Sequence, residues 1–361
     1  MNFVAYLRRF DWILITAAVL LVSFGLLSIY SSSAGRDDFS NFNKQLIFFG
    51  IGIFLILALS FFDWRFFREN SYLILFLYFI SLISLAGLFF FAPEIRGIKG
   101  WYKVGPFSID PIEIMKIILI IILAKYFSTR HVEVYRFRHI LFSGFYILLP
   151  AVLIFFQPDL GSVLVLAALW LGMLIISGIK LRHFLILLFC GFLIAIFSWG
   201  FLLKDYQKER VLSFINPIDP LGISWNQNQA KIAIGSGGIL GQGLGSGSQT
   251  QYGFLPEPQT DFIFSAIAEE TGLIGVLVLL ALFMVLIWRI ISIAIASQSN
   301  FPRLFATGIA ILFIFQIFIH IGMNLGILPI IGIPLPLVSY GGSGLITFFI
   351  GLGVLQSIRT H

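Results

Sequence analysis

Residues 262–289 read FIFSAIAEETGLIGVLVLLALFMVLIWR, a stretch long and apolar enough to cross a bilayer as one helix. Directly before it runs a long polar segment, Lys204 to Thr260, closed by a single acid, Asp261, at the edge of the apolar stretch. This junction decides the fold. The apolar part calls for lipid as its solvent. A long, charged, Gly-rich loop beside it is where a membrane protein displays chemistry.

The rest of the chain agrees. Of its 361 residues 59% are hydrophobic and 11% charged. A soluble domain carries about 25% charge, so a water-facing surface cannot be built from this composition. Runs of the span-forming size, about 20 residues, lie near 12–31, 44–62, 72–92, 111–128, 138–156, 160–178, 182–203, 262–289, 303–323 and 338–357. The expected fold is an all-α polytopic bundle of about ten transmembrane helices, with one large loop at about 204–261. It is a single membrane domain over residues 1–361. Arg8, Arg9 and Ser31-Ser32-Ser33-Ala34 imitate a secretory leader. The apolar run between them is too long for a leader core and more spans follow, so a first anchor is expected.

Lys and Arg set the orientation. With the N-terminus inside, the inner segments hold Arg8, Arg9, Arg65, Arg68, Lys125, Arg130, Arg136, Arg138, Lys180, Arg182, Arg289, Arg303 and Arg359. The short outer loops hold Arg36, Lys44, Arg96, Lys99 and Lys103. Both termini are therefore expected in the cytoplasm and the large loop outside. The other outer positive charges, Lys204, Lys208, Arg210 and Lys231, lie in or beside the long loop, where the rule is weak. The net charge of +6 is read by location, and no soluble basic and aromatic patch suggests nucleic acid. The single Cys190 excludes an internal disulfide, and no Cys/His cluster suggests a metal. There is no Walker A sequence, no useful repeat, and no inverted pair of broken spans of the transporter kind.

Asp261 is the first candidate for chemistry. It can be a helix N-cap, as can Thr260, or a carboxylate held at head-group level and able to act as a general base. Asp110-Pro111-Ile112-Glu113 is a capping pattern. Lys116, one turn further, shares a face with Glu113, so it is either a structural pair or a cation turned into a wet cavity. In the mixed charge run from Lys204 to Val211, Arg210 offers a fork that suits a diphosphate. Gly235 to Gly253 holds eight glycines, which serve a flexible loop or a close backbone approach to a ligand. Gln157-Pro158-Asp159-Leu160-Gly161 and the segment from Gly332 to Ser343 break regular helix at membrane depth. Asp159 reads equally as a cap and as a functional acid.

These segments carry a resemblance. Gln157-Pro158-Asp159-Leu160-Gly161, Lys231 to Gly238, Phe254-Leu255-Pro256-Glu257, Thr260-Asp261-Phe262-Ile263-Phe264, Ala268-Glu269-Glu270 and Pro334 to Ser343 resemble the SEDS family (shape, elongation, division and sporulation). The likeness runs from the first span to the last. Gly241-Gln242-Gly243 and Gln249-Thr250-Gln251 lean toward its rod-shape branch over its division branch. The resemblance implies a peptidoglycan glycosyltransferase of the cytoplasmic (inner) membrane. Such an enzyme polymerises lipid II on the outer side, for cell-wall elongation and rod shape. It implies a class B penicillin-binding transpeptidase and other elongation-complex proteins as partners. The family's essential acid falls on Asp261, its important Trp on Trp101, and its Glu and Lys on Glu113 and Lys116. Ile112 departs from the family, which often has Ser or Thr there.

The mechanism that follows has Asp261 as base and an undecaprenyl diphosphate leaving group, with inversion at the sugar. Lys116, Arg210 or a divalent cation, Mg or Mn, would meet the diphosphate charge; no organic cofactor is expected. Trp101, Glu113, Lys116, Asp159 and Arg210 are the substrate-binding candidates, with no protein metal site. The rival readings are a lipid II flippase, which needs a polar path across the bundle, and a non-catalytic scaffold for the transpeptidase.

Overall fold

The computed structural model describes residues 8–94, 99–130, 137–215 and 223–361. They form 14 helices and one short hairpin: α1 Trp12–Ala34, α2 Ser40–Ser60, α3 Arg65–Glu69, α4 Ser71–Phe91, β1 Tyr102–Val104, β2 Phe107–Ile109, α5 Pro111–Arg130, α6 Phe137–Phe156, α7 Leu160–Ile176, α8 Leu181–Phe201, α9 Asp205–Ile215, α10 Ile223–Gly237, α11 Ser248–Gln251, α12 Ile263–Ala296, α13 Asn300–Leu325 and α14 Gly342–Thr360. Each of the ten apolar runs read from the sequence is a helix. Eight are long and apolar enough to cross a membrane: α1, α2, α4, α6, α8, α12, α13 and α14. The other two depart for visible reasons. α7 is shorter, and α5 carries Glu113, Lys116, Lys125 and Arg130.

Burial separates the helices by role. α5 is enclosed almost all round: Met115 and every residue from Lys116 to Ala124 are buried. A helix apolar on every face belongs at the centre of a bundle, and α4, α13, α7, α6 and α14 pack around it. The Glu113 and Lys116 charges on α5 thus face protein and not lipid. α8 is the opposite case. Only Ser198 is buried, and Phe189, Phe192, Ile194, Phe197 and Phe201 are all exposed. Such a surface is stable only against hydrocarbon.

α12 is not one straight span. Gly272 has φ 65° and ψ −165°, so Ile263–Thr271 forms a separate helical piece. Every residue in that piece but Thr271 is buried. A side chain at Gly272 would meet the Gly241 nitrogen and the Ile239 carbonyl within 2.5 Å. The span read as 262–289 thus begins with a buried segment under the Gly-rich loop, and the chain turns at Gly272 into the long membrane part.

The bundle is pinned at one end by Asp11. Its Oδ1 caps α1 by accepting the Leu14 N–H at 3.0 Å, and its carboxylate accepts from the Arg289 guanidinium of α12 at 3.0 Å. Gln356 of α14 completes the knot, bonding both the N–H and the C=O of Asp11 at 3.0 Å. The Asp11 side chain is 1% exposed and Arg289 19%. Removing one member of a buried pair costs about 3–5 kcal/mol, and losing a cap about 1 kcal/mol. Asp11→Ala is therefore expected to lower the melting temperature in detergent strongly. Asp11→Asn, which keeps a cap but not the charge, should fall between that variant and the native protein.

Candidate functional site

At the other end of the bundle the helix starts and the irregular segments enclose a cavity of about 440 Å³. Phe48 of α2 lines it, and the rest of its wall comes from five places: Trp101 with the hairpin β1–β2, the start of α5, the start of α7, the segment 257–261 before α12, and the segment 332–345 leading into α14. Each is a place where regular helix stops. A cavity at this depth is where irregular backbone can be satisfied inside a membrane protein.

The hairpin escaped the sequence reading. Its strands are three residues each, paired Tyr102 to Ile109 and Val104 to Phe107, with Gly105 at φ 59° in the two-residue turn. The Tyr102 hydroxyl donates to the Ser84 carbonyl at 2.6 Å and ties the hairpin to α4. Trp101 is thereby brought to the cavity wall.

Asp110 starts α5 as a cap, its Oδ1 accepting the Ile112 N–H at 2.9 Å. Its own N–H donates to the Ser343 Oγ at 2.9 Å, joining this end of α5 to the start of α14. Desolvation, and after it the neighbouring Glu113 carboxylate, hold the Asp110 carboxyl well above the usual carboxylate range. Glu113 does not complete the capping box that its spacing predicts. Its Oε1 takes the Lys116 ammonium at 2.6 Å, with the side chains 9% and 2% exposed. The two form a buried pair within the cavity wall.

Asp159 plays the cap as well as lining the cavity. Its Oδ1 accepts the Ser162 N–H at 3.0 Å and its Oδ2 the Ser162 hydroxyl at 2.6 Å, which starts α7. Of the two readings of this acid, the structure supplies the first in full and leaves a face for the second.

Asp261 lines the same cavity, and the capping reading gives way for it and for Thr260. The residue before α12 is Phe262, and no side chain caps the helix. Backbone contacts hold Asp261 in place. Its carbonyl accepts the Asn324 Nδ2 at 3.0 Å, and the Asn324 Oδ1 accepts the Ser265 N–H and hydroxyl at 3.2 and 2.6 Å. The Ser339 hydroxyl donates to the Thr260 carbonyl at 2.8 Å, and the Tyr340 N–H to the Gln259 carbonyl at 2.8 Å. Glu257 at φ 42° and Leu337 at φ 65° turn the chain left-handed on either side of the cavity, a strained backbone that the surroundings must hold.

Five of the six candidate residues, Trp101, Glu113, Lys116, Asp159 and Asp261, thus line one cavity. Arg210 is not among the lining residues. It lies on α9 with its guanidinium 5.8 Å from the Tyr206 ring centre, and the Tyr206 hydroxyl donates to the Pro158 carbonyl beside Asp159. Asp110 and Glu257, which sequence reading did not assign to the site, join the wall.

The Gly-rich loop is ordered, and two acids order it. The buried Glu269 accepts from the Gln249 N–H at 2.7 Å, the Thr250 N–H at 3.0 Å and the Thr250 hydroxyl at 2.7 Å. Glu270 accepts from the Ser31 hydroxyl, from the Gly245 N–H at 3.3 Å and from Gln251 Nε2 at 3.2 Å. Their signal in the sequence was visible: two adjacent acids inside an apolar run demand partners. Glu269→Gln would turn an amide N–H₂ toward donors, at a cost of about 1.5–3 kcal/mol for charge-assisted bonds. Limited proteolysis should then cut within residues 241–253 far faster than in the native protein.

The comparisons with known proteins follow this geometry. The family described as cell cycle protein, FtsW/RodA/SpoVE, matches residues 11–361. The chain belongs to that family. It is 36% identical over 358 residues to the peptidoglycan glycosyltransferase MrdB of Escherichia coli (strain K12), covering 97% of this chain and 95% of that protein. It is 36% identical over 368 residues to the stage V sporulation protein E of Bacillus subtilis (strain 168), covering 97% of each. Among solved structures it superposes on a chain of a peptidoglycan synthase complex, solved for its coordination of polymerization and crosslinking. That match has a TM-score of 0.82 and 31% identity and covers 97% of each chain. The membership expected from the motif segments is thereby established, and with it the mostly helical membrane architecture.

Proposed function

We propose that this chain is a peptidoglycan glycosyltransferase that extends glycan strands from lipid II at the outer face of the cytoplasmic membrane. The observation that carries the reading is the single cavity in which Asp261 stands with the Glu113–Lys116 pair, Asp159 and Trp101, at one end of a membrane bundle. A substrate with a polyprenyl tail and a sugar head must be met at that level. The names of the relatives agree, and the excess of Lys and Arg in segments at the other end supports an outward-facing cavity.

In the reaction, Asp261 accepts the proton of the acceptor sugar 4-hydroxyl. The freed oxygen attacks the donor anomeric carbon, and the bond from that carbon to the diphosphate breaks. The diphosphate departs on its lipid with the electron pair. One carboxylate acting as base on one displacement gives inversion, as in inverting glycosidases. Charge develops on the diphosphate, and the Lys116 ammonium is the cation of the cavity wall placed to meet it. Arg210 would serve the diphosphate only if α9 approaches the cavity when substrate binds. Trp101 offers a flat apolar face for a sugar ring.

Among the described residues no three His, Cys, Asp or Glu side chains converge on a metal-sized point. Two of the lining carboxylates act as caps and one is paired with Lys116. These residues do not form a preassembled cage, so Mg²⁺ or Mn²⁺ enters this proposal only as a companion of the substrate diphosphate.

Elongation of the wall in rod-shaped growth, beside a class B transpeptidase that crosslinks the product, is the setting this reading assigns. The solved complex it resembles couples polymerization to crosslinking. The test is reconstitution. The full chain, with and without such a transpeptidase, is given labelled lipid II and Mg²⁺ or Mn²⁺ and the products are resolved on gels. Ladders of lengthening glycan are expected. Their absence even with the partner would overturn the reading.

A further inference from the structure

A second polar cavity, of about 390 Å³, lies at the opposite end of the bundle. Helix α14 connects the two: Gly342 lines the first and Arg359 the second. At 1.5 Å per residue they are roughly 26 Å apart, close to the thickness of a hydrocarbon core. The second cavity therefore opens at the other membrane surface, the one that the positive-inside pattern assigns to the cytoplasm.

Its wall is cationic. Arg65, Arg68 and Arg359 line it with His361, whose main-chain oxygen accepts from the Arg65 guanidinium at 3.5 Å, and no Asp or Glu does. Arg65 and Arg68 each meet a neighbouring acid outside the lining, Asp63 at 3.5 Å and Glu69 at 3.4 Å, in loose pairs with all four side chains well exposed. Such pairs hold little energy and are easily exchanged for a better anion. Arg359 makes no ion pair with a described residue. The floor is rigid: Trp64, 7% exposed, stacks on Phe301 at 5.8 Å and 9°, and its N–H donates to the Ser357 hydroxyl at 3.0 Å. Both the Arg65 and Arg68 guanidinium groups sit over the Trp64 ring, 5.9 and 5.6 Å from its centre, which fixes them near one another. Ser299, also in the wall, precedes α13, whose first turn has neither a side-chain cap nor an acid. The partial positive end of that 26-residue helix adds to the field. Close by in the chain, Phe66 and Ile295 are 42% and 76% exposed and offer an apolar flank to acyl chains.

We infer that this cavity is a binding site for the phosphodiester head group of an anionic phospholipid of the inner leaflet. The arginines take the phosphate oxygens in forked contacts, and a dianionic lipid fits three arginines better than a monoanionic one. The site lies across the bundle from Asp261 and stands whether or not the polymerase reading does.

The test uses the purified full chain in a neutral detergent. Melting temperature and bound-lipid stoichiometry by native mass spectrometry are followed as cardiolipin, phosphatidylglycerol, phosphatidylcholine or inorganic phosphate is added. Cardiolipin is expected to raise the melting temperature most and to persist as a one-to-one adduct, with phosphatidylglycerol weaker and phosphatidylcholine inert. A triple variant, Arg65→Gln with Arg68→Gln and Arg359→Gln, should lose on the order of 10²-fold in apparent affinity. The single exposed substitution Arg359→Gln, which leaves the Trp64 floor untouched, should lose about 5–10-fold and serves if the triple variant fails to fold. Lys180→Gln with Arg182→Gln, at the start of α8, should bind as the native chain does. An equal loss in that control would show diffuse surface attraction and overturn the site. Equal stabilisation by phosphatidylcholine would overturn anion recognition, and equal stabilisation by inorganic phosphate would overturn a lipid as its source.

Discussion

Asp261→Asn is expected to abolish glycan-ladder formation, by about 10²–10⁴-fold in rate as for a lost general base, with a melting temperature close to native. The geometry separates the two outcomes. The substitution keeps the size of the side chain. It leaves the clamp on the backbone intact, since Asn324 holds the Asp261 carbonyl and Ser339 the Thr260 carbonyl. No helix cap is lost, because α12 starts after Phe262 with no side-chain cap. An amide cannot accept the acceptor hydroxyl proton, so chemistry should stop while the fold and the association with a transpeptidase persist. Polymerisation at the native rate in Asp261→Asn would remove the base from the mechanism. A scaffold would keep both its partner and its function in Asp261→Asn, and a chain that moved labelled lipid II across liposomes without ladders would be a flippase.

How much of this was legible beforehand follows from the range of each interaction. The ten apolar helices, eight of them long and apolar enough to cross a membrane, could be read because lipid burial writes itself as local runs of apolar residues. Four of the five cavity residues could be named because unusual residue types at membrane depth stand out singly: Lys116 with Glu113 in a greasy helix, Asp261 at a boundary, Asp159 after a proline; Trp101 was named only through the family resemblance. What stayed hidden depends on partners far away in the chain. Nothing near Gly235–Gly253 tells that Glu269 and Glu270 gather that loop, nor that Ser31 donates to Glu270 from the first helix. The break at Gly272 was invisible because one glycine inside an apolar run is common and only the packing of Gly241 and Ile239 against it makes it obligatory. The hairpin was missed because three-residue strands carry too little periodicity to register. Arg210 was singled out for its chemistry, yet its helix places it over Tyr206 and outside the cavity lining.

Lys116→Met is expected to be the most destabilising single change in the cavity, and its rescue should separate stability from catalysis. The Lys116 side chain is 2% exposed and its ammonium lies 2.6 Å from the Glu113 carboxylate. Removing it strands a buried negative charge, and breaking such a pair costs about 3–5 kcal/mol. The double variant Glu113→Leu with Lys116→Met removes both charges and replaces them with apolar side chains of similar size. Its stability should return to near native, because a buried pair gains little over well-packed apolar groups once desolvation is counted. Melting in detergent across the four proteins of the cycle reads this coupling directly. Activity should not return with stability. The cavity would then lack the cation placed to meet the diphosphate, and ladders should be absent or reduced by at least about 10²-fold, as when a preorganised charge contact is lost. A double variant that polymerises at the native rate would confine Lys116 to a structural role and move the burden of the leaving group to Arg210 or to a divalent cation. A single variant that melts with the native protein would mean that Glu113 finds water or a proton in the cavity, and the pair would then be neither buried nor coupled in solution.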